Sequence, residues 1–332
     1  MFQRKEVLSI GICALALALI LRMVGSAGVL PLQNGDMLSF LVYLQTGRVV
    51  RYPTAPAPEA PQPTSPAPTQ PAPQRPSGLI LTDAGAVRLS DLVDYQPDIE
   101  SLLLSPLDWD LTGEEPTVLI LHTHATESYT KQPGQIYDED SSYRTFKASY
   151  NMLSIGEELK RVLTAGGISV LHDRTLHDYP SFNGSYDHAR QTIRAYLQAY
   201  PSIKMVIDLH RDALDFEQDP QLTTLATVGG QKSAQLMLVA GTDHNVSYSH
   251  WEENLALGVK LTAVLEKMYP GITRPIQLRP QRFNLDMSPG SILVEVGANG
   301  DTHEEALIAT RALGAAILTM AQGVNLQHAP PL

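Results

Sequence analysis

The chain has 332 residues and a formal net charge of −11 at pH 7. A negative balance of this size argues against a nucleic-acid-binding protein, which needs a basic face to meet phosphates. The single cysteine, Cys13, excludes a disulfide framework and a thiolate metal site.

Residues 1–32 are predicted to be a targeting element. Arg4 and Lys5 precede an apolar run at residues 8–21, which fits either a cleaved signal peptide or a signal anchor. The small residues at 25–27 form only a weak cleavage site, so a single-pass membrane anchor is favoured. Because basic residues flank the cytoplasmic end of a span, the rest of the chain is expected to be extracytoplasmic.

A proline-rich segment separates this element from the rest of the chain. Residues 33–52 form a juxtamembrane segment, and residues 53–76 contain ten prolines in 24 positions. Such a segment cannot pack a core and is expected to be an extended spacer, with a reach of roughly 70 Å at ~3.1 Å per residue. Residues 77–114 are predicted to be transitional, and residues 115–327 to form the catalytic domain.

Strand and helix patterns alternate through this domain. Strands are predicted at 117–121, 168–171, 204–209, 222–228, 235–240, 276–278 and 291–296, and helices at 150–165, 185–199, 252–268 and 302–320. Alternation of this kind predicts an α/β fold with a mostly parallel or mixed sheet between helices. The central strands are continuous apolar runs, as expected where both faces of a sheet are covered.

The first predicted strand ends abruptly in polar residues. Residues 118–129 read Val-Leu-Ile-Leu-His-Thr-His-Ala-Thr-Glu-Ser-Tyr. His122, His124 and Glu127 therefore lie where the strand leaves the core, and α/β proteins place their ligands at such strand ends.

Two later strands carry polar residues of the same kind. Residues 205–210 read Met-Val-Ile-Asp-Leu-His and end at His210, and the strand at 291–296 carries Glu295 between two valines. Histidine and glutamate without cysteine are typical of a hydrolytic zinc site, which keeps a fourth position open for water. The pattern therefore favours a mononuclear metallohydrolase.

Roles can be assigned within this set. We predict His124, Glu127 and His210 as the zinc ligands, with His122 as a substitute ligand or a neighbour of the metal. A further carboxylate, not bound to metal, must take the proton of the attacking water and pass it to the leaving amine. Glu295 fits that role because it lies on another strand.

Other polar residues are candidates for contact with substrate. Arg211 could clamp a substrate carboxylate with its planar fork, or pair with Asp212 to fix the loop. Arg282 and Asn284 precede the turn that leads into the Glu295 strand, so they could line the cleft.

Several segments together resemble the stage II sporulation protein P family. The segments are His-Thr-His-Ala-Thr-Glu-Ser-Tyr (122–129), Asp-Leu-His-Arg-Asp-Ala (208–213) and Ser-Pro-Gly-Ser-Ile-Leu-Val-Glu-Val-Gly (288–297), with further similarity at 172–178, 251–255 and 270–275. The resemblance covers about residues 115–310, in the same order.

The resemblance implies a zinc-dependent peptidoglycan hydrolase that degrades septal wall during engulfment of the forespore. Members resemble N-acetylmuramoyl-L-alanine amidases, are credited with endopeptidase activity as well, and act with stage II sporulation proteins D and M. His124, Glu127, His210 and Glu295 match the ligands and catalytic glutamate of those amidases by order. In the wider amidases the ligand glutamate usually opens the first helix, where this chain has Tyr150 and Asn151.

Two alternatives compete with this interpretation. A His-x-His motif also opens metal-dependent amidohydrolase barrels, but those need eight βα units and typically ~250 residues. The other alternative is a membrane-tethered, non-catalytic scaffold that binds the cell wall.

Overall fold

A seven-stranded mixed sheet forms the centre of the computed structural model, which describes residues 86–107, 109–138, 142–214 and 221–322. The strands of the chain are β1 (Leu89–Asp91), β2 (Val118–Leu121), β3 (Val170–His172), β4 (Met205–Asp212), β5 (Leu225–Val228), β6 (Gln231–Ala234), β7 (Leu236–Gly241), β8 (Ile276–Arg279) and β9 (Ser291–Ala298). The main sheet has the order β1-β8-β7-β9-β4-β2-β3, and β5 pairs with β6 in a separate ribbon.

All neighbours in the main sheet are parallel except β7 and β9, which are antiparallel. The predicted mostly parallel or mixed sheet is therefore confirmed. The described strands do not form the eight-unit barrel of the amidohydrolases.

Helices cover both faces of the sheet. They are α1 (Ile99–Leu104), α2 (Met152–Ala165), α3 (Ser185–Ala199), α4 (Trp251–Met268) and α5 (His303–Ala321). Alternate residues of a strand face opposite sides: Val118 and Ile120 of β2 belong to the large core that includes residues of α2, α4 and α5. Leu119 and Leu121 pack with α3 on the other face.

The predicted boundaries differ from the structure at three main places. β4 runs to Asp212, past the predicted end at 209, because its pairing with β9 continues, so His210 lies inside the strand. The segment predicted as transitional contains β1 and α1, and β1 adds to the sheet edge by pairing with β8. These two elements are too short for periodicity to reveal. The strand predicted at 235–240 was preceded by a second, unrecognised strand, β6, which turns back on β5 through Gly229 and Gly230. Both glycines have positive φ, as a two-residue hairpin turn requires.

The N-terminal predictions fall outside the described residues. These are the anchor at 1–32, the juxtamembrane segment at 33–52 and the spacer at 53–76. None of the helices that the structure describes is both long and apolar enough to cross a membrane.

Candidate active site

The predicted site residues meet at the carboxyl ends of β2 and β4. These strands are parallel neighbours, so His124, just beyond β2, and His210, near the end of β4, leave the sheet at the same edge. β9 lies on the other side of β4, and the register places Glu295 directly beside His210. The topology thus gathers groups that are up to 171 positions apart in the sequence.

His210 is held between two carboxylates. Asp208 lies two residues earlier in the same strand and faces the same side, with Oδ1 3.0 Å from His210 Nε2. On the other side of the ring, Nδ1 lies 3.6 Å from Glu127 Oε2. Burial opposes the protonation of His210, but Asp208 and Glu127 outweigh it and raise its pKa well above the usual range.

Asp208 also connects β4 to the loop that carries His124. Its Oδ1 accepts a hydrogen bond from the Thr123 backbone N–H at 2.8 Å, and its Oδ2 accepts one from the Thr123 hydroxyl at 2.6 Å. One buried carboxylate therefore fixes the two strand ends relative to each other.

Glu127 is a buried carboxylate with two arginine neighbours. Its Oε1 lies 3.3 Å from Arg144 Nη2 and 3.9 Å from Arg211 Nη1, and its Oε2 accepts a hydrogen bond from the Arg211 backbone at 3.4 Å. Burial would raise the pKa of Glu127, but the Arg211 guanidinium and His210 outweigh burial and keep the pKa well below its usual range. The carboxylate is thus held ionised, as a metal ligand must be.

His124 provides a neutral nitrogen. Its Nδ1 is buried without a hydrogen-bond partner, and its ring centroid lies 5.2 Å from that of His210. Phe182 stacks on the ring at 4.4 Å, and Tyr186 meets its edge at 5.6 Å. Burial, assisted by His210, lowers the pKa of His124 to about 4, so the imidazole is neutral near pH 7.

Glu295 stands apart from these ion pairs. Its Oε2 is buried and has no hydrogen-bond partner. Burial raises the pKa of Glu295 to about 8, and the negative charge of Glu127 adds to the rise while His210 opposes it. A carboxyl group that titrates near neutral pH suits a general acid–base role.

The side chains of His124, Glu127 and His210 are of the types that bind zinc, but they are not positioned as a complete set of zinc ligands. The separation of 3.6 Å between His210 Nδ1 and Glu127 Oε2 exceeds a hydrogen bond. It is close to the roughly 3.4 Å between two atoms that each lie ~2.0–2.1 Å from one tetrahedral zinc ion. Among the described residues no three His, Cys, Asp or Glu side chains stand ready to hold a metal. A metal bound by this pair would therefore need the orphaned Nδ1 of His124 to move in as the third donor.

His122 lies among different neighbours. Its Nδ1 is 3.1 Å from the Leu209 carbonyl oxygen, and its Nε2 is 2.9 Å from His172 Nε2. Both nitrogens are therefore engaged by protein atoms, which leaves His122 no free nitrogen for the metal in this arrangement.

Arg211 and Asp212 take separate partners. Arg211 donates from Nε to the Ser128 carbonyl and from Nη2 to the carbonyls of Ser142 and Tyr143. Asp212 pairs with Arg274 at 2.7 Å instead of with Arg211. Arg211 is thus buried, holds the loop between β2 and α2 through these carbonyls, and offsets the charge of Glu127. It does not face substrate.

Arg282 and Asn284 have polar partners other than His124, Glu127 and His210. Asn284 donates from Nδ2 to the Tyr186 carbonyl at 2.7 Å and accepts from Arg190 at 3.2 Å. Arg282 pairs with Asp286 at 3.2 Å and is partly exposed. Asn284 therefore positions the tyrosine next to the histidines, while Arg282 belongs to the ion-pair cluster of Asp286.

Several residues of the site were not predicted from the sequence. Asp208 had a usable signal, because residues two apart in a strand face the same side. Arg144, Phe182 and Tyr186 come from loops and a helix start whose approach to the site depends on tertiary packing, so no local pattern pointed to them.

Asn151, at the position where the wider amidases place their ligand glutamate, caps α2. Its side-chain oxygen accepts from the Leu153 backbone, and its Nδ2 donates to the Thr145 carbonyl at 3.0 Å. That position is structural here, and Glu127 is the carboxylate that faces His210.

Comparison with known proteins gives weak structural likenesses. An N-acetylmuramoyl-L-alanine amidase of Nostoc punctiforme is 15% identical, with 64% of this chain and 99% of that chain covered and a TM-score of 0.38. The CwlD amidase of Clostridioides difficile, solved in complex with the GerS lipoprotein, is 14% identical, with 63% and 98% covered and a TM-score of 0.36. Similarity at this level does not establish an activity.

The sequence comparisons are stronger. Stage II sporulation protein P of Bacillus subtilis (strain 168) is 28% identical over 207 residues, which are 58% of this chain and 48% of that relative. The chain thus matches about half the length of that curated relative. A family model described as stage II sporulation protein P matches residues 62–318, well over half of the chain. The predicted family is confirmed: the chain belongs to the stage II sporulation protein P family.

Proposed function

We propose that this chain is a zinc-dependent peptidoglycan hydrolase that cleaves the amide bond between N-acetylmuramic acid and L-alanine. The observation that carries the proposal is the meeting of unsatisfied buried groups at one sheet edge. His124 Nδ1 and Glu295 Oε2 are buried with no hydrogen-bond partner, and they lie at the edge where His210 Nδ1 contacts Glu127 Oε2 at 3.6 Å. Unpaired buried polar atoms are costly and mark a place where a ligand is expected.

His124, Glu127 and His210 would hold the zinc ion. When bound, zinc supplies a water of lowered pKa and polarises the scissile carbonyl. Asp208 holds the His210 ring so that Nδ1 faces the site, and the two arginines keep Glu127 anionic. Such support by a carboxylate behind a ligand histidine fixes both the tautomer and the orientation of the ring.

Glu295 moves the proton in this proposal. It accepts a proton from the attacking water, whose oxygen bonds to the acyl carbon. It then gives that proton to the nitrogen of the leaving L-alanine as the amide bond breaks. The products are a muramic carboxylic acid, which keeps the second proton of the water, and a free amine, and Glu295 returns to its starting state.

The biological setting follows from family membership and is part of the proposal. The chain would act in sporulation, on septal wall during engulfment, alongside stage II sporulation proteins D and M. Endopeptidase activity on peptide cross-links would be a second activity of the same site. Residues 1–32 would anchor the chain in the membrane, and the ten prolines of residues 53–76 would let the extracytoplasmic domain reach the wall.

Digestion of purified peptidoglycan by the full-length chain tests the proposal, with the Glu295→Gln variant as control. Mass spectrometry of the soluble fragments shows which bond is cut. We expect peptides with a free L-alanine amino terminus from the wild type, suppressed by a chelator and by the variant. Sedimentation with the wall and no released amines would instead identify a non-catalytic scaffold that binds the wall.

A further inference from the structure

Three exposed aromatic side chains lie on two loops that adjoin the candidate site, where Arg144 of one loop pairs with Asp178 of the other and with Glu127. Phe146 is 65% exposed, Tyr179 is 46% exposed and Phe182 is 53% exposed. Phe146 lies in the connection from β2 to α2, and the other two lie between β3 and α3. The rings of Phe146 and Tyr179 meet edge to face, with centroids 5.0 Å apart. We call these three residues the aromatic platform.

The aromatic platform is continuous with the candidate metal site. Phe182 stacks on the His124 ring at 4.4 Å with an interplanar angle of 16°. The Arg144 guanidinium, which contacts Glu127, also lies 4.6 Å from the Phe182 ring centroid. A molecule that covers the platform would therefore lie beside the atoms at which the proposed hydrolysis takes place.

The exposure of these rings is not explained by the fold. Across the described parts of residues 86–322, the other exposed large hydrophobic side chains are aliphatic: Leu92, Leu104, Ile136, Leu222, Leu225 and Val246. The exposed aromatic rings are thus concentrated at the one place where chemistry is proposed. Clustered exposed apolar side chains of this kind mark binding surfaces.

We propose that the aromatic platform binds the glycan part of the substrate by stacking against its amino-sugar rings. This inference rests on the proposed function, since the muramic sugar is directly attached to the bond that would be cut. A pyranose ring presents a face of axial C–H groups, which pairs with the electron-rich face of an aromatic ring. Its hydroxyl and acetamido groups point to the rim and stay in water.

The charges near the aromatic platform favour a sugar over the peptide stem. The peptide stem carries carboxylates, which would seek arginine. Arg144 is already bound to Glu127 and to Asp178, the latter at 2.9 Å, and Arg211 donates to backbone carbonyls. His124 and Arg144 lie against the Phe182 ring, so the stacking faces of the platform are those of Phe146 and Tyr179, and Phe182 joins them to the site. These two faces carry no free positive charge, which suits a neutral sugar.

Titration calorimetry of the full-length chain with a soluble N-acetylglucosamine tetrasaccharide tests the proposal. The double variant Phe146→Leu/Tyr179→Leu keeps apolar side chains but removes both rings. We expect its affinity for the tetrasaccharide to fall roughly ten-fold. The double variant Phe146→Tyr/Tyr179→Phe keeps the rings and should bind like wild type. Leu104→Ala, an exposed residue of α1, controls for general loss of apolar surface.

Hydrolysis separates this inference from the proposed function. The leucine double variant should show a raised KM on long glycan strands, whereas Leu104→Ala should cut the same strands like wild type. Equal tetrasaccharide affinity in wild type and leucine variant, or no binding by wild type, would overturn the platform as a sugar site. A leucine variant that loses affinity for the free stem peptide instead would assign the platform to peptide and also overturn it. A wild type that binds the sugar and cuts no substrate would refute the hydrolase while leaving the platform supported.

Discussion

The molecule contains two neighbouring groups that each consist of two histidines and one glutamate. The two groups differ in the exposure of the carboxylate and in the hydrogen bonding of the histidine rings. The first, which we call the metal set, is His124, His210 and Glu127. The second, which we call the packed set, is His122, His172 and Glu157. In the packed set, His172 Nδ1 lies 3.3 Å from Glu157 Oε2, much as His210 Nδ1 lies near Glu127 in the metal set.

The carboxylates of the two sets differ in their surroundings. The Glu127 side chain is 7% exposed, whereas that of Glu157 is 57% exposed and also contacts Arg174 at 3.1 Å. A carboxylate in water contributes little to an ion pair. Burying a carboxylate together with two arginines and a histidine costs desolvation free energy. Such buried charged groups cluster at functional sites.

The histidines of the two sets also differ, in how fully their ring nitrogens are paired with protein atoms. In the packed set the two rings contact each other through Nε2 at 2.9 Å, and His122 also reaches the Leu209 carbonyl. In the metal set, His124 Nδ1 is buried with no partner. The comparison teaches that residue types alone do not mark a site in this chain; the metal set is distinguished by a buried carboxylate together with an unpartnered histidine nitrogen.

The largest expected effect comes from the acid–base group beside the metal set. Glu295→Gln keeps the shape of the side chain and removes the base, so we expect hydrolysis to fall ~10²–10⁴-fold. The variant should keep its zinc and still bind wall. Steady-state rates and metal analysis measure both quantities.

Glu127→Gln is the paired control, because a ligand carboxylate should lose zinc together with activity. Zinc lost from the Glu295 variant and kept in the Glu127 variant would mean that the two roles are exchanged. Full activity of the Glu295 variant would refute the mechanism.

A smaller effect is expected at Asp208, which supports the metal set from behind. Asp208→Asn weakens the hold on the His210 ring and on Thr123, so zinc affinity should fall ~10–100-fold. Competition with a chromogenic chelator measures this affinity without relying on activity. Glu157→Gln changes the carboxylate of the packed set, which contacts His172, and should leave zinc affinity unchanged. Equal affinities in both variants would place Asp208 outside the support of the metal.

Gly156 allows the packed set to lie under α2. A Cβ there would come within 2.4 Å of His172 Nε2 and 2.5 Å of His122 Nε2. Gly156→Ala should therefore lower the free energy of unfolding by ~1–3 kcal/mol through overpacking. Gly258→Ala, inside α4, meets only the Leu238 side chain at 3.2 Å and should be neutral or stabilising by up to ~1 kcal/mol. Urea denaturation compares the two, and a stable Gly156 variant would show that the packed pair has room.

The pH dependence of stability should reveal the packed set as a buried neutral pair. Burial, assisted by Arg174 and Lys160, lowers the pKa of His172 to about 3. The unfolded chain binds this proton near pH 6.5, so protonation favours unfolding as the pH falls from 6.5 toward 3. Relative to His172→Gln, the wild type should lose on the order of 2–3 kcal/mol of unfolding free energy between pH 7 and pH 4. A difference that does not change with pH would mean that His172 is not buried in its neutral form.

Much of the fold could be predicted because its central elements carry strong local patterns. Helix α3 (Ser185–Ala199) begins and ends where the sequence predicted, and β2 and β9 were recognised as apolar runs. β1 could not be predicted, since three residues have no measurable period and owe their structure to pairing with β8. The ribbon of β5 and β6 was partly recognised through its glycine turn.

Only the residues of the candidate site that lie at the ends of apolar strands could be predicted from the sequence. The sequence showed that His124 follows one apolar strand and that His210 ends another apolar run, but it could not show that β4 lies between β2 and β9. That order places Glu295 beside His210. Nor could the spacing of His122 and His124 show which ring points into the site, because the rule of alternation ends where the strand does.

Zinc content of the purified full-length chain tests the central claim most directly, with His210→Ala and His172→Gln measured alongside the wild type. The metal set predicts about one zinc ion per wild-type chain, its loss from the His210 variant and its retention in the His172 variant. Zinc that persists in His210→Ala and disappears from His172→Gln would place the metal in the packed set and contradict the account.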